Sequence, residues 1–175
     1  MLIVVVIIGI LAAALIPRLT SVKDKANDAA RKSNIQSIVT AVSSYGLDKW
    51  MAALVPGDTI ASTGVKSILT GGGMSDIPAD PSKAPHTILG ISTSGYVVQP
   101  VKKNGNTSGG FVVVGFAETA AAANWVETTA ANDFSGVVDA SNITFCSSIS
   151  VNGTANTTWG GCTGRADQLR IVAKY

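Results

Sequence analysis

Charge is scarce in this chain. Lys, Arg, Asp and Glu together make up 14% of its 175 residues, against roughly 25% in typical globular chains. The net charge is +2, too small to point to nucleic acid or acidic lipid as the main partner, and no specific nucleic-acid partner is expected. Histidine occurs once, as His86, so a Ser–His–Asp triad or a Cys nucleophile would have to use a residue in a proline-bounded loop. The stretch GISTSG (Gly90–Gly95) has the wrong spacing for a GxSxG nucleophile elbow. Walker, HExxH and GxGxxG motifs are missing. The residues therefore point to no catalytic group, no metal site and no cofactor, and the chain does not read as an enzyme.

Cysteine is nearly absent. Cys146 and Cys162 enclose 15 residues rich in Ser, Asn, Gly and Thr. A zinc site would want two more ligands. A disulfide fits the pair better than a metal does, and it implies an oxidising compartment; two unrelated free thiols are the alternative. With so few charges, the polar surface must come from Ser, Thr, Asn and Gly, which fill the chain after Asp58. Such a surface is commoner outside the cell than in the cytoplasm.

What the chain has in excess is a greasy beginning. Mean hydropathy is +0.34, and much of it sits in MLIVVVIIGILAAALI, the uncharged stretch Met1–Ile16. Its length and the small residues Ala12–Ala14 fit a cleaved signal peptide, but the basic n-region is missing. As an ordinary membrane anchor it is short, since sixteen helical residues span about 24 Å of a roughly 30 Å hydrocarbon core. A chain whose beginning lies a few residues upstream of Met1 is the third reading.

The run IVVVIIGILAAALIPRL strongly resembles the N-terminal segment of bacterial type IV pilins and their relatives. Mature chains of that family begin with a methylated Phe, a short apolar stretch and a Glu, then a run ending IIGILAAxAIP. Ile7–Pro17 follow this pattern with Leu15 in place of the usual Ala. The resemblance places the family's Phe and Glu before Met1. It covers about a tenth of the chain, and the C-terminal cysteine pair and the Gly/Ser/Thr-rich remainder agree with it.

The resemblance implies a pilin fold, an α+β arrangement in which a long N-terminal helix packs on a small antiparallel sheet. Residues 1–17 would be the membrane and filament-core segment, with Leu2, Ile3, Val4, Val5, Val6, Ile7, Ile8, Gly9, Ile10, Leu11, Leu15, Ile16 and Pro17 packing between subunits. Residues 18–50 would be the amphipathic half of the helix, and 51–175 a globular head with the Cys146–Cys162 loop. The implied activity is polymerisation as a major pilin into a cell-surface filament, a helical homo-oligomer. Before assembly the partners would be the inner membrane and the pilus assembly machinery. A type II secretion pseudopilin is the alternative, and a membrane-anchored surface enzyme the reading from another class. Pseudopilins use a calcium site in the head, so Asp76 and Asp80 in SDIPADPS are candidate ligands; the plainer reading makes them turn formers. Aromatics at 6% leave little material for a stacked path along a filament.

Further along, Leu19, Val22, Ala26 and Ala29 recur at helical steps, and the row resumes after a slip as Ile35, Ile38, Val42 and Tyr45. Arg18, Lys23, Lys25, Arg31 and Lys32 face only Asp24 and Asp28; they read as a solvated face or as an electrostatic contact between subunits. Gly46 is expected to close the helix near Trp50. Ser62–Leu69 reads as a short helix, Gly95–Val101 and Phe111–Glu118 as a hairpin, ETAAAANWV as a helical turn, and SNITFCSS and QLRIVAKY as strands. Asn106, Asn142, Asn152 and Asn156 are glycosylation sequons. Gly9 and Pro17 each weaken a helix, so the segment between them is expected to stay helical in lipid and to open in a filament.

Overall fold

The computed structural model describes residues 2–46, 49, 58–88, 91–102, 110–126, 138–139, 149–151, 156–158, 161–164 and 169–174. Among the described residues a 44-residue helix, α1 (Leu2–Tyr45), precedes a second of nine residues, α2 (Thr63–Gly71). Among the described residues ten short strands come next: β1 (His86–Ile88), β2 (Ile91–Thr93), β3 (Val97–Lys102), β4 (Phe111–Phe116), β5 (Trp125–Val126), β6 (Val138–Asp139), β7 (Ile149–Val151), β8 (Asn156–Thr158), β9 (Gly161–Gly164) and β10 (Leu169–Lys174). They form a β1-β2 hairpin, a five-stranded sheet ordered β5-β10-β4-β3-β6 and a three-stranded sheet ordered β7-β9-β8. Pairing is antiparallel except between β3 and β6 and between β7 and β9. A long N-terminal helix with small, mainly antiparallel sheets is the α+β arrangement expected.

The sheet is built around β4, FVVVGF, a β-branched and aromatic run in which Phe111–Gly115 are all buried. Successive side chains point to opposite faces. Phe111 and Val113, with Tyr96, Val98 and Ile171, pack on Ile35, Ile38, Val39 and Val42 of α1 and on Val65, Ile68 and Leu69 of α2. Val112 and Val114, with Val97, Trp125 and Val172, pack the other way, against Ile88 of β1. The hairpin expected from Gly95 to Glu118 is β3 and β4, in register Val97 with Val114 and Pro100 with Phe111. The Ala-rich stretch makes one helical turn, with the Ala122 and Ala123 amides both donating to the Thr119 carbonyl, before β5 begins. The Asn124 side-chain amide then exchanges two 2.7 Å hydrogen bonds with the Val172 backbone, extending the ladder of β10 by one rung. SNITFCSS lies outside the described residues.

The helix does not carry one apolar stripe. At about 100° per residue, Leu19, Val22, Ala26 and Ala29 lie roughly 160° around α1 from Ile35, Ile38, Val42 and Tyr45. The later row is buried or half-buried under the sheet, and the earlier row is exposed. The slip in the sequence pattern is therefore a change of face. Gly46, at φ +99°, takes the left-handed conformation that stops α1.

Where α2 ends against α1, the chain needs a residue without a side chain. A Cβ on Gly72 would overlap the carbonyl oxygen of Ala41, a backbone atom that cannot move aside. Gly72→Ala should lower the free energy of unfolding by about 1–3 kcal/mol, read as a lower urea midpoint with an unchanged slope. An unchanged midpoint would mean that the two helices are free to separate.

Candidate functional site

From Leu2 to Val22, α1 is bare. Thirteen large aliphatic side chains in this stretch are exposed, from Ile7 at 52% to Leu2 at 82%. An 18-residue window of α1 reaches a mean hydropathy of 2.7 with none of it buried. At ~1.5 kcal/mol per side chain, the unrealised burial is on the order of 20 kcal/mol. Patches of this size on a protein surface mark an interface with protein or lipid. A helix that is apolar all round belongs inside something.

The head begins about one and a half turns further on, with a buried ion cluster. Arg31 is wholly buried on α1. Its Nε and Nη2 donate to the two carboxylate oxygens of Asp80 at 2.7 and 2.9 Å. Nη1 donates to Asp28 Oδ1 at 3.0 Å, one helical turn back, and Nη2 also reaches Glu118 Oε1 at 2.8 Å. The carboxylates are held in turn. Asp28 accepts the backbone N–H groups of Glu118 and Thr119 at 2.9 and 2.8 Å and the Thr119 hydroxyl at 2.7 Å, which pins the end of β4 to the helix. Asp80 accepts the Ser82 amide and hydroxyl at 2.9 and 2.5 Å. Asn27 adds its side-chain amide to Glu118 at 3.3 Å. A second contact lies three residues beyond Arg31, where Asn34 donates to the Tyr96 hydroxyl at 2.9 Å.

An aromatic ring sits beside the cluster. Phe116 carries the Arg31 guanidinium 5.4 Å from its centroid and that of Arg170 at 5.7 Å, both within cation–π range. His86 stacks on the same ring at 3.9 Å and 8° between planes, with Nε2 3.2 Å from Ser82 Oγ. Arg170 donates to the Thr87 carbonyl at 2.8 Å, tying β10 to β1.

Burial opposes ionisation of both main partners, and the ion pair prevails in each. Desolvation works against the Arg31 charge, but bonding to Asp80, Glu118 and Asp28 holds its pKa above the ordinary value. Burial likewise works against the Asp80 carboxylate, but Arg31 and Ser82 hold its pKa below the ordinary one. For His86 the burial wins: its pKa is lowered, with Arg31 and Arg170 adding to the effect and Asp80 and Glu118 opposing it. Tyr96 is pushed up to about 12, mainly by burial.

One sequence reading needs correction. Asp28 and Arg31 belong neither to a solvated face nor to a contact between subunits; they are buried within the chain because their side of α1 faces the sheet. Asp80 is not free to ligate calcium, because both its oxygens bind Arg31, while Asp76 lies exposed elsewhere. Among the described residues no group of three His, Cys, Asp or Glu side chains could hold a metal. His86, Ser82 and Asp80 are neighbours, but the Ser82 hydroxyl donates to Asp80 and the histidine does not touch the carboxylate, which is not the order of a catalytic triad. Cys146 and the sequons Asn106, Asn142 and Asn152 lie outside the described residues; the Cys146–Cys162 pairing falls there with them. Cys162 is on β9 between Ile149 and Thr157, and Asn156 opens β8. The sequence reading missed the cluster. Its one local trace is the Asp28-x-x-Arg31 spacing on the same face as Ile35 and Ile38.

Fold and site together define an α+β protein with an apolar helical rod, joined to its head through a buried arginine. No known family model, curated protein or solved structure matches the chain.

Arg31→Leu would leave three carboxylates around a site with no cation. Breaking such a pair removes about 3–5 kcal/mol of stability, so the variant should unfold at markedly lower urea; a loss under 1 kcal/mol would show that the carboxylates find water instead. The pH dependence has a definite sign. Asp80 and His86 both have folded-state pKa values below their unfolded ones, so both contribute stability that is complete above the unfolded pKa and is lost as pH falls through the folded value. Stability should therefore begin to decline below about pH 6.5, through His86, and decline again below about pH 4, through Asp80. Urea titrations across that range check it, and His86→Gln should remove the first decline only.

Proposed function

We propose that this chain is a structural subunit of a type IV pilin-like filament, with the pilin fold, assembling through its apolar N-terminal helix. The observation that carries the reading is the free-standing rod of α1, apolar on every side and continuous with a folded head. The resemblance of Ile7–Pro17 to the pilin N-terminal pattern gives the rod its assignment. Before assembly, lipid of the inner membrane covers the rod. During polymerisation the same surface leaves lipid and packs on identical segments of other subunits. Heterologous contacts that do not close produce a filament rather than a ring. The activity is assembly rather than catalysis, and the finished filament lies on the cell surface. A secretion pseudopilin, acting as a short piston, uses the same rod and differs in the length of the assembly.

The helix is unbroken from Leu2 to Tyr45 in the single chain, through both Gly9 and Pro17. Pro17 cannot donate to the Ala13 carbonyl, and in lipid that group has no water to bond. Surrounded by protein in a filament, the segment tolerates open backbone, and we expect helix on both sides of an interruption within Gly9–Pro17.

Electron cryomicroscopy of surface filaments, with mass spectrometry of the subunit, tests the assignment. A filament made of this chain, with residues 2–16 retained and packed at the axis, is the expected result. Absence of the chain from such filaments, or removal of residues 2–16 from the mature protein, overturns it. A chain lacking residues 1–26 should be a folded, soluble monomer, because continuous burial starts at Asp28 and Arg31. Sedimentation checks this, and polymers formed by the shortened chain would show that the rod does not drive assembly.

A further inference from the structure

Between the bare rod and the buried cluster lies a short stretch that neither feature uses. Arg18, Lys23, Lys25 and Lys32 are all exposed there, Asp24 is half-buried, and Asp28 and Arg31 are withdrawn into the head. Counting the exposed and half-exposed groups from Arg18 to Lys32, four cations stand against one anion, a local excess of three charges in a chain whose total is +2. The fold withdraws one charge of each sign, Asp28 and Arg31, so the excess of three is carried entirely by groups at the surface.

The position of the cations along the axis narrows their partner. Ile16 is the last residue of the uncharged rod. At 1.5 Å per residue, Arg18 lies about 3 Å beyond it, Lys23 about 10 Å, Lys25 about 13 Å and Lys32 about 24 Å. The headgroup layer on one side of a bilayer is about 5–8 Å thick. Side chains on a helix tilt toward its N-terminus, here toward the rod, and a lysine stem reaches several ångströms further. Arg18, Lys23 and Lys25 can therefore set their charges in or against the headgroups once the rod is in lipid, and Lys32 cannot. Arg18 and Lys25 lie on one side of the helix and Lys23 well round from them, so they form a collar rather than a stripe. Leu19 and Val22, 71% and 63% exposed, lie between Arg18 and Lys23 along the axis.

We propose that Arg18, Lys23 and Lys25 form a collar that binds the phosphate groups of anionic phospholipids in the leaflet facing the head. The proposal rests on the membrane-anchored stage of the filament reading. The collar holds the unassembled subunit at a fixed depth and adds electrostatic affinity to the apolar anchor.

The test uses the full chain, transferred from mild detergent into vesicles of phosphatidylcholine alone or of phosphatidylcholine with about a third phosphatidylglycerol. Each cation near an anionic surface contributes about fivefold in partitioning. With Asp24 offsetting one of the three, partitioning into the anionic vesicles should exceed that into neutral ones by about 25-fold at low salt, and most of this should vanish at high salt. The variant R18Q/K23Q/K25Q should lose the preference altogether and, with Asp24 left unopposed, favour the neutral vesicles by up to about fivefold, while K32Q keeps the preference. Equal partitioning of the unaltered chain, or the same loss in K32Q as in the triple variant, overturns the collar and leaves the anchor standing. Failure to enter either vesicle overturns the anchor reading, and the collar with it.

Discussion

The ion pairs that tie the long helix to the head all converge on one buried guanidinium. Arg31 binds Asp28 on its own helix, Asp80 in the loop before β1 and Glu118 just after β4. Three chain segments distant in the sequence are thereby brought to one point. The position matters as much as the bonds. Below Asp28 the helix contributes little to the core, and above it α1 is packed on the sheet at every inward position from Ile35 to Val42. A cation here cannot be replaced by a neutral group without leaving carboxylates unpaired, because burial penalises their charge. The hydrophobic contacts hold the upper helix to the sheet, and the ion cluster fixes where that contact stops.

That boundary separates two halves of one helix with opposite demands. The upper half satisfies its apolar face inside its own chain. The lower half has no such partner, and its aliphatic side chains lie open on all sides. On the filament reading proposed above, a rigid link lets the rod exchange lipid for protein while the head stays folded. The apolar row Leu19, Val22, Ala26 and Ala29 faces away from the head's side of the helix, so this face also remains available to something outside the chain.

Much of this could be read from the sequence. Helical spacing located α1, and a glycine at 46 located its end. The β-branched run of β4 and the turn residues before it located the central hairpin. The rod is legible because an unbroken apolar run needs no knowledge of any other part of the chain. The ion cluster is a different kind of feature. Asp80 is 49 residues from Arg31, and Glu118 is 87. Near Arg31 only its spacing from Asp28 and the face it shares with Ile35 and Ile38 separate it from the exposed Lys32 beside it, and nothing in SDIPADPS shows that its second aspartate is buried and its first exposed.

The sequence by itself determined the two-part character of the protein: an uncharged helical rod and a polar, strand-rich remainder. Those properties are local, set by hydropathy, by period and by the conformational limits of Gly and Pro. Only the tertiary structure decided which side of α1 meets the sheet. That choice sorts the charges of residues 18–32 into a buried pair and an exposed collar, and it divides the apolar positions between the head and the outside. The physical reason is that a helix offers every side of itself equally until a sheet occupies one of them. Burial then makes a charge expensive on the covered side unless a counter-charge from a distant segment reaches it, and here Asp80 and Glu118 reach Arg31.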